Sequence, residues 1–311
     1  MQVHVQGVHS ALFTPRFADG SLNREVLRTC AEFLMGTGVD GLVLGGATGE
    51  YLHGRQGEFR EIVEIVSAIT GRGQFIAGIG GTDVSTSIEN GRLAMEYGAR
   101  ALLLPAPHFF RYAQEDIVAY VQHISESVEA PILLYNLPQF ANGFDTATSM
   151  DLIRPERGII GIKDSSGSLE TLRSLTARKT PGVSRIVGND QVLVQARKDQ
   201  ICDGVISGVA AAIPELILYL GRTDPASDAA RFGAVSGMLD ELVDQLNNFP
   251  VPWGLKFISE RRGLGPLGSP LPVTESRREQ ARALAIWVED WWDRMNALVP
   301  VGPLAVAGCV A

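Results

Sequence analysis

A lysine stands where an apolar run meets a Gly/Ser turn, in Gly158-Ile159-Ile160-Gly161-Ile162-Lys163-Asp164-Ser165-Ser166-Gly167. The chain has only four lysines, and the other three, Lys179, Lys198 and Lys256, sit among polar or helical residues. An ammonium at the end of a buried strand is costly, because desolvation disfavours the charged form. A fall of about 3 units from the free value of about 10.4 would raise the neutral amine fraction at pH 7 roughly a thousandfold. A neutral amine attacks carbonyl carbon, which is the chemistry of a Schiff base. The alternative use of Lys163 is an ion pair with Asp164 at the strand end.

Two further segments carry groups that such chemistry needs. Tyr135-Asn136-Leu137-Pro138 ends another apolar run, and a phenol beside an amine can relay protons during carbinolamine formation and dehydration. The competing reading of Tyr135 is a core aromatic with a satisfied hydroxyl. In Gly45-Gly46-Ala47-Thr48-Gly49-Glu50 the glycines allow close backbone approach, so amide N–H groups and the Thr48 hydroxyl could cradle a carboxylate. A purely structural turn or a phosphate site are the alternatives there, although no GxxxxGKT pattern is present. Gly188-Asn189-Asp190 and Gly204-Val205-Ile206-Ser207-Gly208 offer more polar groups, or simply turn chemistry.

Those segments must be positioned by a scaffold. Short apolar runs at 7–14, 39–45, 74–80, 101–105, 131–137, 159–163, 185–188 and 204–207 make eight strand candidates. Amphipathic stretches lie between them at 25–37, 58–69, 86–97, 115–128, 169–177 and 191–198, with apolar residues at three- and four-residue spacing. Alternating strand and helix implies parallel pairing with right-handed crossovers, and eight units fit a closed (β/α)8 TIM barrel. The strands read as continuous hydrophobic runs, as expected where both faces are covered. An open doubly wound sheet is the rival fold. Residues 1–224 are assigned to the barrel and 225–311 to a C-terminal helical extension, with helical stretches at 229–246, 252–260 and 275–295. In such a barrel the strand C-termini gather functional side chains, and all the segments above fall there.

Composition narrows the partners. A chain of 311 residues, 45% of them apolar, can bury a sizeable core. A net charge of −8 with no Lys/Arg run argues against a nucleic-acid or anionic-membrane partner and toward a small-molecule substrate. Cys30, Cys202 and Cys309 are scattered, and His4, His9, His53, His108 and His123 lack ligand spacing, so no disulfide framework and no metal is expected. No GxGxxG fingerprint precedes a helix, so no dinucleotide cofactor is expected either. Residues 1–25 show no secretory signal, and the apolar tail 297–311, broken by Pro300 and Pro303, is too short to span a membrane. A reducing cytoplasm is the expected location.

Taken in order and at these spacings, Gly46-Ala47-Thr48-Gly49-Glu50, Tyr135-Asn136-Leu137-Pro138 and Gly161-Ile162-Lys163-Asp164 resemble the dihydrodipicolinate synthase / N-acetylneuraminate lyase family of class I, pyruvate-type aldolases. The resemblance runs from about residue 7 to the final long helix. It implies a (β/α)8 barrel with a helical extension, assembled as a dimer or a tetramer. It also implies a Schiff base between Lys163 and the 2-keto group of pyruvate or of a pyruvate-releasing acid, and no cofactor. Tyr135 matches the proton-relay tyrosine, Thr48 with the Ala47 and Thr48 amides the carboxylate loop, and Ile206 a pyruvate-contacting position.

The departures point to a branch. Phe140 stands where the synthases carry an arginine for the second substrate's carboxylate, and losing such a contact would cost about 2 kcal/mol or more. Ala47-Thr48 replaces a two-threonine loop, and Phe109 matches a second relay tyrosine donated across a dimer contact. A lyase/aldolase of sugar acids or related 2-keto acids is therefore favoured, with Asp190 and Ser207 matching positions that meet substrate hydroxyls, although Gln191 replaces an acid of that branch. The alternatives are 4-hydroxy-tetrahydrodipicolinate synthesis, dehydration of keto-deoxy sugar acids, and a non-catalytic sugar-acid-binding barrel.

Overall fold

A computed structural model describes residues 3–304, so Cys309 and the end of the apolar tail lie outside the described residues. Eight strands follow one another: β1 (Gly7–Ala11), β2 (Gly41–Leu44), β3 (Phe75–Gly78), β4 (Ala101–Pro105), β5 (Ile132–Asn136), β6 (Ile159–Asp164), β7 (Ser184–Val187) and β8 (Gly204–Ser207). They pair in parallel in chain order, and β1 pairs with β8 as well as β2, which closes the barrel. The TIM barrel expected from the alternation is the observed fold.

Helices α1 (Arg24–Gly36), α2 (Glu58–Thr70), α3 (Val84–Glu96), α4 (Gln114–Val128), α5 (Thr146–Leu152), α6 (Glu170–Arg178), α7 (Leu193–Lys198) and α8 (Pro214–Arg222) form the outer layer. Several begin at a side chain that accepts from an orphan amide of the first turn: Asn23 for α1, Asp83 for α3 and Asp145 for α5. Pro214 starts α8, where its missing N–H costs nothing. The periodicity reading contained neither α5 nor α8.

Strand residues divide between two apolar layers, which explains the continuous runs. Val43, Ile76, Leu103, Leu133, Tyr135, Ile160, Ile186 and Ile206 pack together inside the barrel. Leu42, Phe75, Leu102, Leu104 and Leu134 pack outward with the helices. Beyond α8 come α9 (Ala229–Leu246), α10 (Trp253–Arg261) and α11 (Glu275–Leu298). Phe232, Val235 and Trp291 from this extension belong to the same buried cluster as the barrel's helix layer. No helix among the described residues is long and apolar enough to cross a membrane.

Candidate active site

Lys163 and Tyr135 are direct register partners at the C-terminal ends of β6 and β5. The register of this pair shifts at Ile132/Leu133, leaving Ile160 as an extra residue ahead of the lysine. Gly161 is required beside it, because a Cβ there would stand 2.0 Å from the Ser184 carbonyl oxygen. The result is a buried amine, 5% exposed, whose Nζ lies 4.1 Å from the centroid of the Tyr135 ring.

Asp164 is not the lysine's partner. Successive strand residues face opposite sides, and its Oδ1 instead accepts from Asn136 Nδ2 at 3.2 Å and from the Ser166 amide at 2.9 Å. Burial holds this carboxyl above the usual carboxylate range against those hydrogen bonds. The ion-pair alternative for Lys163 is thereby removed.

The turn after β2 supplies the opposite wall. Gly45 has φ +66° and a Cβ on it would fall 2.6 Å from the Gly78 carbonyl oxygen, so only glycine lets the chain turn there. Thr14 Oγ1 donates to the Gly49 carbonyl at 2.7 Å, and the Glu50 amide donates to the Ala47 carbonyl at 2.9 Å. Glu50 itself is buried and paired with Lys256 of α10, whose Nζ also donates to the Gly268 carbonyl at 2.9 Å. Lys256 lies in a helix, as its sequence surroundings suggest, but is only 2% exposed. Burial lowers its pKa and the Glu50 charge opposes that shift.

These walls enclose a cavity of about 380 Å³ lined by Ala47, Thr48, Tyr135, Lys163, Gly188 and Asp190, a size suited to a small metabolite. Asp190 Oδ2 accepts from the Val209 amide at 3.3 Å, and burial raises its carboxyl while the Ser207 hydroxyl, the Val209 amide and the Lys163 charge pull it down. Ser207 and Ile206 are fully buried and do not line the cavity. Ser207 Oγ accepts from the Ala210 amide at 3.0 Å, and Ile206 packs in the barrel interior. The two sequence-singled positions on β8 therefore lie behind the cavity wall rather than in it.

The extension contributes a roof that the sequence reading lacked: Val243 and Leu246 of α9, Phe249, Val251, and Leu255 of α10. A second missed aromatic is Tyr51, whose phenol is held above the ordinary tyrosine range by burial and, secondarily, by Tyr135. Phe140 reaches the cavity mouth, whereas Phe109 is 89% exposed and does not line this cavity. No group of three or more His, Cys, Asp or Glu side chains among the described residues could hold a metal.

A buried lysine with no ion pair among the described residues, over a tyrosine in a closed barrel, is placed for Schiff-base chemistry. Similarity to known proteins agrees. A model of the dihydrodipicolinate synthetase family matches residues 4–289. The 4-hydroxy-tetrahydrodipicolinate synthase of Thioalkalivibrio sulfidiphilus is 33% identical over 274 residues, 85% of this chain and 90% of that protein. The structure of the 4-hydroxy-tetrahydrodipicolinate synthase of Methylacidiphilum fumariolicum SolV superposes with a TM-score of 0.84 at 24% identity, covering 95% of this chain and 99% of the other. A 2-keto-3-deoxygluconate aldolase variant of Sulfolobus solfataricus superposes equally well, at TM-score 0.84 and 20% identity over 94% and 98% of the two chains. With fold, lysine and family match coinciding over nearly the whole length, the chain belongs to the dihydrodipicolinate synthetase family, as a lyase/aldolase.

Proposed function

We propose that this protein makes or breaks a carbon–carbon bond next to the keto group of a pyruvate-type 2-keto acid, through an enamine carried on Lys163. The Lys163 amine attacks C2, water leaves, and the resulting iminium withdraws electrons from the adjacent bond. Tyr135 moves the protons of carbinolamine formation and dehydration. The Thr48 hydroxyl, with the Ala47 and Thr48 amides, holds the carboxylate and so fixes C2 before the amine. Asp190, braced by Ser207, faces the departing or arriving oxygen, and Ile206 supports the floor behind Lys163. One observation carries this reading: the Lys163 amine lies buried against the Tyr135 ring at 4.1 Å, in a cavity shared with Thr48.

The sequence relatives bear the name 4-hydroxy-tetrahydrodipicolinate synthase. Among the described residues the only lysine or arginine lining the cavity is Lys163, and Phe140 occupies the mouth, so a second substrate with its own carboxylate meets no further lysine or arginine among them. The reaction is therefore assigned to a 2-keto acid whose other half carries no carboxylate at that end. The described cysteines, Cys30 and Cys202, are free thiols, with the buried Cys30 pushed up to about 12, which fits a reducing cytoplasm. A homo-oligomer, dimer or tetramer, is the expected working form.

The test is borohydride reduction in the presence of pyruvate, followed by peptide mapping. A stable adduct is expected on the Lys163 peptide and on none of the other three lysines. Lys163→Ala is expected to abolish the adduct and lower kcat by roughly a thousandfold or more. An adduct on the equally buried Lys256, or none at all, would refute the mechanism.

A further inference from the structure

Beside the keto-acid cavity lies a second hollow of about 260 Å³. The two share Ala47, Leu137, Phe140, Pro250 and Val251 in their walls, so the hollow adjoins the cavity that holds Lys163. Trp253 and Leu271 complete the apolar lining. Among the described residues, Glu50 and His53 are the hollow's only ionisable side chains besides the Tyr51 phenol, and Glu50 is already committed to Lys256.

The surface around this hollow is unusually apolar. Of the nine large hydrophobic side chains that are exposed among the described residues, four border it: Leu52 at 47%, Phe140 at 58%, Val251 at 55% and Leu271 at 54%. Apolar surface concentrated at the mouth of a reactive cavity marks a binding face rather than chance exposure. Two polar side chains of the adjoining keto-acid cavity are bonded within the protein, while its unpartnered polar atoms, Ser165 Oγ and Asp190 Oδ1, lie outside the hollow. Gln139 Nε2 donates to the Ser165 carbonyl at 2.9 Å, and Asn189 Oδ1 accepts from the Gln191 amide at 3.0 Å. A hydroxylated chain would leave water for a wall that is mostly carbon, and a carboxylate would meet no lysine or arginine in it.

We propose that the second substrate is an uncharged aldehyde with an aryl or alkyl body that sits in this hollow, and this rests on the Schiff-base reading above. In the addition direction, the Tyr135 phenolate left by dehydration of the carbinolamine takes a proton from C3 of the Lys163 iminium, and C3 of the resulting enamine forms a bond to the aldehyde carbon. The carbonyl π pair moves to the aldehyde oxygen, which takes a proton from the Tyr135 phenol. The water released when the Schiff base formed returns to hydrolyse the iminium, giving a 4-hydroxy-2-oxo acid and free amine. The cleavage direction reverses each step, and no oxidant or reductant is needed.

The experiment begins with borohydride trapping of pyruvate, then measures kcat/KM for pyruvate condensing with a series of straight-chain alkanals, benzaldehyde, D-glyceraldehyde and succinic semialdehyde. The expected result is a rise of roughly two- to fourfold per added methylene until the hollow is filled, from the transfer free energy of a buried CH₂. Benzaldehyde is expected to exceed D-glyceraldehyde and succinic semialdehyde by about tenfold or more. Phe140→Arg should shift the preference toward succinic semialdehyde. Normal trapping with a flat chain-length series, or with a preference for the hydroxylated or carboxylated aldehyde, overturns this inference and leaves the Schiff base standing. A hollow covered by a second copy of the chain gives the same flat series and counts against it equally. Failure to trap removes the mechanism beneath both.

Discussion

Lys163 reaches its cavity because residue 188 has no side chain. A Cβ on Gly188 would stand 2.8 Å from Lys163 Cε, 2.9 Å from its Cγ and 2.2 Å from Ser165 Oγ. The far end of a lysine can swing away from such a clash, but only by moving the amine off the line over Tyr135. Misplacing a nucleophile by about 1 Å costs on the order of a hundredfold in rate. Gly188→Ala is accordingly expected to lower kcat by about a hundredfold while leaving far-ultraviolet circular dichroism unchanged. Wild-type rates from this variant would mean that the amine's path past residue 188 has slack that the geometry denies.

At the scale of elements, the turn after β2 is held by something 206 residues away in the chain, the Glu50–Lys256 pair between that turn and α10. Both side chains are nearly solvent-free, so each charge depends on the other. Removing one partner leaves an unpaired buried charge, and Lys256→Met should destabilise the protein by about 3–5 kcal/mol in urea unfolding. Glu50→Gln combined with Lys256→Met should recover much of that loss, because no lone charge then remains. A Lys256→Met protein as stable as wild type would show that water reaches Glu50. This pair was illegible from sequence, since neither its partner nor its burial leaves a local signal. The strands were legible for the opposite reason: β4 and β8 coincide with apolar runs because both of their faces are covered. Tyr135 and Lys163 could be placed at one rim from their positions at strand ends, whereas their adjacency came from the register of β5 on β6. Helix α5, Thr-Ala-Thr-Ser-Met-Asp-Leu, carries too few apolar residues to show a period. Helix α8 follows the β8 turn so closely that its Leu-Ile-Leu-Tyr-Leu run lacks a separating polar stretch. The roof from Phe249, Val251 and Leu255 was hidden because the barrel rule looks only to strand ends, and these residues arrive from the extension.

At the scale of the molecule, one buried apolar cluster joins the barrel's helices to α9 and α11, so the roof over Lys163 is built into the same core as the strands beneath it. Besides the apolar rim of the second hollow, the single chain also leaves uncovered the loop after β4. Phe109 there is 89% exposed with φ +75°, a conformation that costs a non-glycine residue of order 1–3 kcal/mol, and it packs edge-on against the exposed Phe110 at 4.9 Å. Strain and exposed aromatic surface at one place are together unfavourable in an isolated protomer, and both are compensated if a second copy of the chain buries the pair. Light scattering after gel filtration is expected to give a multiple of the 33.5 kDa protomer for the wild type. Phe109→Asp with Phe110→Asp, which sets two charges on that face, should shift the mass toward the protomer and do so more strongly at low protein concentration. A wild-type protein that is monomeric throughout, or a double variant that keeps its full mass, would mean that assembly does not run through this loop.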